Sequence, residues 1–199
     1  MIVSAGGVLN MESANRAFGL AWITFLLVWI AAVGFSKPQA RTTSAVNRIV
    51  YSMILLAGFL LIFDRRIQIG WLRTPIWHTT LAVAFTGAAV TWAGVLFAIW
   101  ARFTLGSNWS GQPMVKVNHE LVVKGPYRLV RHPIYTGLFF AGLGSVILVG
   151  RWCVVPGIIL VFIGLMMKMA QEERLMTETF PAAYPDYRGR VKALIPFVF

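Results

Sequence analysis

The stretch His119-Glu120-Leu121-Val122-Val123-Lys124-Gly125-Pro126-Tyr127-Arg128-Leu129-Val130-Arg131-His132-Pro133-Ile134-Tyr135-Thr136-Gly137 is the longest polar interval in a very apolar sequence. It holds two of the three histidines, and Lys124, Arg128 and Arg131 lie close to Tyr127 and Tyr135 within it. Pro126 and Pro133 fix their own φ angles and bias Gly125 and His132 away from helix, so this is a shaped connector. A rigid connector at the edge of an apolar segment can form the floor of a binding site.

The rest of the chain decides where that floor lies. With 58% hydrophobic and 13% charged residues over 199 positions, and a mean hydropathy of +0.71, the sequence is too apolar for an ordinary soluble domain. Apolar runs of about 18 residues or more read as membrane-spanning helices. Five are expected, over roughly Ala17 to Phe35, Val46 to Phe63, Ile76 to Ala101, Pro133 to Val149 and Trp152 to Met169. The second and fourth are short. Residues 1 to 14 show no periodic pattern and read as a loose lead-in, and the first apolar run is too long for a signal-peptide core, so it reads as a retained helix. The expected fold class is an all-α integral membrane protein with about five transmembrane helices, a cytoplasmic connector and an extended last helix.

Orientation follows from the basic residues. Counted on alternate sides of the five runs, Arg16, Arg65, Arg66, Arg73 and Arg151 fall on one side and the other thirteen of the 18 lysines and arginines on the opposite one. The positive-inside rule then places the N-terminus outside and the connector and C-terminus in the cytoplasm. A net charge of +11, so distributed, suits contact with anionic headgroups, and nucleic acid is not an expected partner. The single cysteine, Cys153, allows no intramolecular disulfide and no cysteine-based metal cluster. No metal site is expected, because His78 falls on the outer side, away from His119 and His132.

Trp71, Trp77, Trp100, Trp109 and Trp152 flank the expected spans and read as an aromatic belt at headgroup depth. Gly87, Thr91 and Gly94 in the third span, with Gly137, Ala141 and Ser145 in the fourth, are small residues at near-helical spacing that let backbones approach closely. Gly150-Arg151 is too short to be anything but the turn of a helical hairpin. Beyond Met169 the helical pattern continues through Gln171-Glu172-Glu173-Arg174, with no breaker before Pro181. The last helix should therefore leave the bilayer beside the connector.

This brings His119, Tyr127, Arg128, Arg131, His132 and Tyr135 to the same face as Lys168, Glu172 and Glu173. Ionisable groups at a membrane boundary that face a bundle interior are functional candidates. Adjacent glutamates on a helix point about 100° apart, so one can face the connector while the other faces water or a basic group. Lys168 and Glu172, four residues apart, share a face and read equally well as a local ion pair. Phosphate-loop, dinucleotide, zinc-protease and hydrolase motifs are missing from the sequence. A ligand carrying a cation, an ammonium-carboxylate end and an aromatic base would suit the groups present.

The block His119-Glu120-Leu121-Val122, Gly125-Pro126-Tyr127, Arg131 to Gly137, Glu172-Glu173, Phe180 and Tyr184 to Tyr187 resembles the isoprenylcysteine carboxyl methyltransferase family, and it shares much with the related phospholipid N-methyltransferases. The resemblance covers about the C-terminal half. It implies a division into residues 1–103, three N-terminal spans, and residues 104–199, a catalytic half, within one integrated domain. It implies an S-adenosylmethionine-dependent methyltransferase acting on a lipophilic acceptor drawn from the membrane. The implied cofactor contacts are Gln112, His119, Glu120, Leu121, Val122, Tyr127, His132, Pro133, Ile134, Tyr135 and Glu172. The implied catalytic group is Glu173, Lys168 and Arg131. The family's substrate-orienting arginine appears here as Lys168, which keeps the charge but lacks the bidentate fork. An amine acceptor would need a base, for which Glu173 or His132 would serve, whereas an ionised carboxylate would need only alignment. The alternatives are a phospholipid N-methyltransferase and a nicotinamide-dependent membrane reductase of similar C-terminal architecture.

Overall fold

The computed structural model describes residues 10–33, 39–42, 44–64, 66, 69–109, 114–116 and 121–196. Five apolar helices form the body: α1 (Met11–Val33), α2 (Ala45–Phe63), α3 (Leu81–Leu105), α4 (Pro133–Val149) and α5 (Val154–Thr179), followed by the short α6 (Ala183–Arg190). Four of them, α1, α2, α3 and α5, are long and apolar enough to cross a membrane. The chain is a multi-pass integral membrane protein.

Helix α4 has 17 residues and at about 1.5 Å per residue falls short of a hydrocarbon core of about 30 Å. It can be short because much of it faces protein. Gly137, Ala141, Gly142, Gly144 and Ser145 are all buried. The packing of α3 on α4 runs along the small residues expected from the sequence. A Cβ on Gly87 would lie 2.8 Å from the Gly144 carbonyl, and one on Gly94 would collide with the Gly137 carbonyl and the Ala141 amide. Thr91, fully buried, donates to the Gly87 carbonyl at 2.9 Å. Backbone meets backbone along this seam.

Helix α5 packs chiefly on α2, although it follows α4 in a tight hairpin. The two run antiparallel. Gly58 meets Gly157 and Val161, and Gly164 meets Leu55 and Tyr51. Helix α1 is fastened across α3 and α4 by two indoles, Trp92 Nε1 donating to Ala17 O at 2.8 Å and Trp22 Nε1 to Ser145 Oγ at 3.2 Å.

Four expectations change in detail. Helix α1 begins at Met11, inside the stretch expected to be a loose lead-in, because Asn10 and Ser13 cap it reciprocally, Ser13 N donating to Asn10 Oδ1 at 2.8 Å and Asn10 N to Ser13 Oγ at 2.9 Å. Helix α3 begins at Leu81, since the backbone from Leu72 to Ile76 is used elsewhere. Ile76 N donates to Gly150 O, and Trp152 N and Cys153 N donate to Thr74 O and Leu72 O, tying this loop to the α4–α5 turn. A two-stranded antiparallel ribbon, β1 (Gln39–Thr42) with β2 (Met114–Lys116), adds a short β element to an otherwise helical fold.

The aromatic belt is the fourth correction. Trp71, Trp100 and Trp152 are exposed as expected, at 65%, 49% and 44%. Trp77 instead donates to the Ile147 carbonyl at 3.1 Å, and Trp109 is buried under Arg102, whose guanidinium lies 4.2 Å from the ring centroid. Arg102 is itself buried and donates to the carbonyls of Ala32 at 2.6 Å and Gly106 at 2.9 Å. These are helix C-terminal carbonyls, where a cation meets the negative end of the dipole. Arg102 thus closes the ends of α1 and α3 at the connector end of the bundle.

Candidate functional site

The described connector resumes at Leu121 and Val122, both half-buried. Gly125, at φ +57°, opens a 3-10 turn over Gly125–Arg128. The left-handed conformation and the 3.2 Å that a Cβ would leave to Thr104 both favour glycine there. Pro126 and Tyr127 follow, buried against the end of α3. Tyr187 Oη on α6 donates to the Tyr127 carbonyl at 2.5 Å.

Arg131 and His132 are then caught by the chain that follows α6. Arg131 N donates to Lys192 O at 2.8 Å and His132 N to Ala193 O at 3.0 Å. Thr136 Oγ1 donates to Leu194 O at 2.8 Å. His132 is the N-cap of α4 and Pro133 its first residue, a position where the missing N–H costs nothing. Segment 192–194 therefore fixes how the His132 and Tyr135 side chains enter the site.

Those side chains meet α5 at Glu172 and Glu173. Tyr135 Oη donates to Glu172 Oε1 at 2.5 Å. His132 stands between the two acids, with Nε2 3.2 Å from Glu173 Oε1 and Nδ1 3.7 Å from Glu172 Oε2. Its ring lies parallel to that of Tyr135, at 1° and 5.5 Å between centroids. Arg131 holds Glu173 through Nε at 3.0 Å and Nη2 at 2.6 Å. Arg188 Nε lies 3.5 Å from the second Glu173 oxygen, and Arg131 Nη1 donates to the Val191 carbonyl. Lys168 Nζ sits over the Tyr135 ring, 5.4 Å from its centroid.

Glu173 faces basic groups, as the helical geometry allowed, but does not turn away from the connector to do so. Both face the connector, one on each side of His132. Their surroundings differ all the same. Glu173, 12% exposed, is held by two guanidinium groups and one edge of the His132 imidazole, and Glu172, 25% exposed, is held by a phenol and the other edge of that imidazole, with the Lys168 charge within range. Glu173 is pinned in place, while Glu172 keeps lone-pair capacity for a ligand.

Burial favours the neutral form of His132, but hydrogen bonds and charge from Glu172 and Glu173 outweigh it and hold the imidazole pKa above its ordinary value. The two acids thus favour the protonated form of the ring that separates them. On α6, burial pushes Tyr187 up to about 12, so its hydroxyl stays a donor to Tyr127.

Of the residues singled out in the sequence, Arg131, His132, Pro133, Tyr135, Lys168, Glu172 and Glu173 are brought together. Ile134 packs beside them against the apolar cluster that includes Leu165 and Met169. Tyr127 is buried within electrostatic range of Glu172. Gln112, His119 and Glu120 lie outside the described residues. One contributor was missed. Tyr51, in α2, is 3% exposed, and its hydroxyl is within electrostatic range of Glu172. The available signal was the single tyrosine of α2, one turn after Arg48 in a mainly apolar span.

A cluster with one unsaturated carboxylate, two aromatic faces and nearby cations can hold a zwitterion next to an apolar helix pair. Comparison with known proteins gives that chemistry a context. A sequence model of the isoprenylcysteine carboxyl methyltransferase family matches residues 72–178. The chain is 33% identical over 122 residues to the protein-S-isoprenylcysteine O-methyltransferase of Rattus norvegicus, covering 55% of this chain and 43% of the relative. The enzyme of the same name from Homo sapiens is 33% identical over 101 residues, covering 49% and 36%. That from Saccharomyces cerevisiae is 33% identical over 86 residues, covering 41% and 34%. The chain thus spans less than half the length of these curated relatives. A solved structure of the eukaryotic intramembrane Ras methyltransferase, isoprenylcysteine carboxyl methyltransferase, superposes with a TM-score of 0.51 at 24% identity, covering 75% of this chain and 53% of that one. This supports a shared fold.

Proposed function

This chain belongs to the isoprenylcysteine carboxyl methyltransferase family, and we propose that it methylates the carboxylate of a prenylated cysteine, using S-adenosylmethionine at the cytoplasmic face of a membrane. The observation that carries the reading is the pair of glutamates on α5, one pinned and one open, facing the Tyr135 and His132 rings beside membrane-spanning helices.

The donor set fits a sulfonium amino acid. Glu172 has lone pairs for an ammonium or sulfonium centre, and the Tyr135 ring beside it already carries a cation, Lys168 Nζ, 5.4 Å from its centroid. S-adenosylmethionine, when bound, supplies an electrophilic methyl group. Tyr135 and His132 orient the Glu172 carboxylate, and Arg131 with Arg188 holds Glu173 so that the helix face carrying both acids cannot turn. Lys168, one turn from Glu172, supplies positive charge toward which an acceptor carboxylate is drawn, with one point contact where an arginine would make two. Of the implied catalytic group, Lys168 would therefore face the acceptor, while Arg131 and Glu173 would position the site.

The same geometry favours a carboxylate over an amine acceptor. An amine must lose a proton, and of the two candidate bases Glu173 is occupied by Arg131, His132 and Arg188, while His132 is held toward its protonated form by Glu172 and Glu173. A carboxylate arrives ionised and needs only alignment. The excess of basic residues at the connector end of the bundle supports placing this end in the cytoplasm.

The test is incubation of purified protein with methyl-labelled S-adenosylmethionine and an S-prenylated N-acetylcysteine. Base-labile label in the lipophilic fraction is the expected product, a methyl ester. In a parallel incubation with a membrane lipid extract, base-stable label would assign a nitrogen or sulfur acceptor instead, and no label in the prenylated cysteine would defeat the reading.

A further inference from the structure

Helix α2 reaches the site from the half of the chain that carries no motif. Gly164, Lys168 and Glu172 follow one another at four-residue steps and so share a face of α5. A Cβ on Gly164 would lie 2.7 Å from Leu55 Cγ and 3.3 Å from the Tyr51 carbonyl, so Tyr51 flanks that face one turn from Lys168. Side chains on a helix lean toward its own N-terminus. Because α2 and α5 are antiparallel, the N-terminal end of α2 is the end beside Lys168 and Glu172, and the Tyr51 phenol leans into the site.

The hydroxyl it carries there is not used by the fold. Tyr51 is 3% exposed, and its Oη has no hydrogen-bond partner among the described residues. Two other buried side-chain atoms share that condition, Arg102 Nε and Gln171 Oε1. Arg102 nonetheless makes two other hydrogen bonds, whereas Tyr51 has only the one polar atom on its side chain. Buried hydroxyls are ordinarily paired. The charges around this one point to its partner. Arg48 lies one turn earlier on the same helix, within electrostatic range of the Tyr51 oxygen, and Lys168 lies across from it on α5. Glu172 is within range as well, but no hydrogen bond joins it to the Tyr51 hydroxyl.

We propose that Tyr51 is a ligand-binding residue whose hydroxyl donates to a carboxylate oxygen of the bound molecule, completing on α2 the site that the connector and α5 begin. The inference rests on the methyltransferase reading above, in which a carboxylate is present both on the prenylated cysteine and on the amino-acid end of the donor. Hydroxyl donation to an ionised acceptor is among the stronger hydrogen bonds, so its loss should be measurable as roughly a tenfold change in affinity.

The experiment is Tyr51→Phe in the full chain, which keeps the ring and removes one oxygen. Calorimetry gives the Kd for S-adenosylmethionine, methyl transfer to an S-prenylated N-acetylcysteine gives the acceptor KM and kcat, and a thermal melt checks folding. An acceptor KM raised about tenfold, with kcat within about twofold and donor Kd unchanged, assigns the acceptor carboxylate. A donor Kd raised about tenfold assigns the donor carboxylate. Both constants unchanged, in protein that melts like the wild type, overturns the inference and leaves the methyltransferase reading standing. Wild-type protein that binds the donor but labels no prenylated cysteine overturns the acceptor reading, and the donor Kd still decides for or against Tyr51.

Discussion

Tyr135 on α4 and Glu172 on α5 are joined directly, hydroxyl to carboxylate at 2.5 Å, across two helices that each pack chiefly on a different partner. Helix α4 lies along α3 and helix α5 along α2. The hydrogen bond therefore spans the junction of two helix pairs, and a ligand held there touches both.

If Glu172 is the open carboxylate of the site, Glu172→Gln should weaken S-adenosylmethionine binding by about ten to a hundredfold, in proportion to the loss of a charge-assisted contact. Tyr135→Phe should weaken it less, since the carboxylate remains and only its orientation is lost. Calorimetry on both variants is the check. Equal affinity in all three proteins would remove Glu172 from the site.

Arg131 and Glu173 have side chains only 8% and 12% exposed, so Arg131→Ala leaves a nearly buried carboxylate short of its main partner. Breaking such a pair costs about 3 kcal/mol or more. The variant should lose donor binding and thermal stability together. Unchanged melting with lost binding would mean that Arg131 touches the ligand itself.

The elevated pKa of His132 has a definite sign. In the unfolded chain the imidazole titrates near about 6.5, and in the folded chain it titrates higher, because hydrogen bonds and charge from Glu172 and Glu173 outweigh the opposing effect of burial. Folding then favours the protonated ring. The stabilisation is full below the unfolded value and is lost as pH rises through the folded one. The gap in melting temperature between wild type and His132→Gln should narrow as pH is raised from about 5 to about 9. A gap that widens with pH would contradict the arrangement.

Gly94→Ala inserts a methyl group where the Gly137 carbonyl and Ala141 amide already sit. The α3–α4 seam would have to open, at a cost of about 1 to 3 kcal/mol. Gly19, with nothing within 4 Å of an added Cβ, is the matched control and should tolerate alanine. Thermal unfolding in one detergent compares the two.

Much of the site could be read from the sequence because its parts lie on two short runs. Two prolines stiffen the connector around His132, and the absence of a breaker before Pro181 carries α5 past Glu172 and Glu173. The bridge that His132 makes between the acids was not readable, since a rotation of about 100° per residue says nothing about a side chain arriving from another segment. Trp77 and Trp109 show a second limit. An indole at a helix end has the same composition whether it meets lipid or, as here, a carbonyl of Ile147 or the guanidinium of Arg102. Tyr51 marks a third, because nothing within α2 reveals that its hydroxyl lies within electrostatic range of Glu172. That knowledge requires the antiparallel pairing with α5.

The backbone of residues 192–194 grips Arg131, His132 and Thr136 from the far side of α6. The helical bundle and the pocket are consequently separate achievements. Five apolar helices can insert and settle against one another while the histidine that parts the two glutamates still lacks its brace. A protein cut after α5 would be expected to reach the membrane, keep its glycine seam and yet hold no methyl donor.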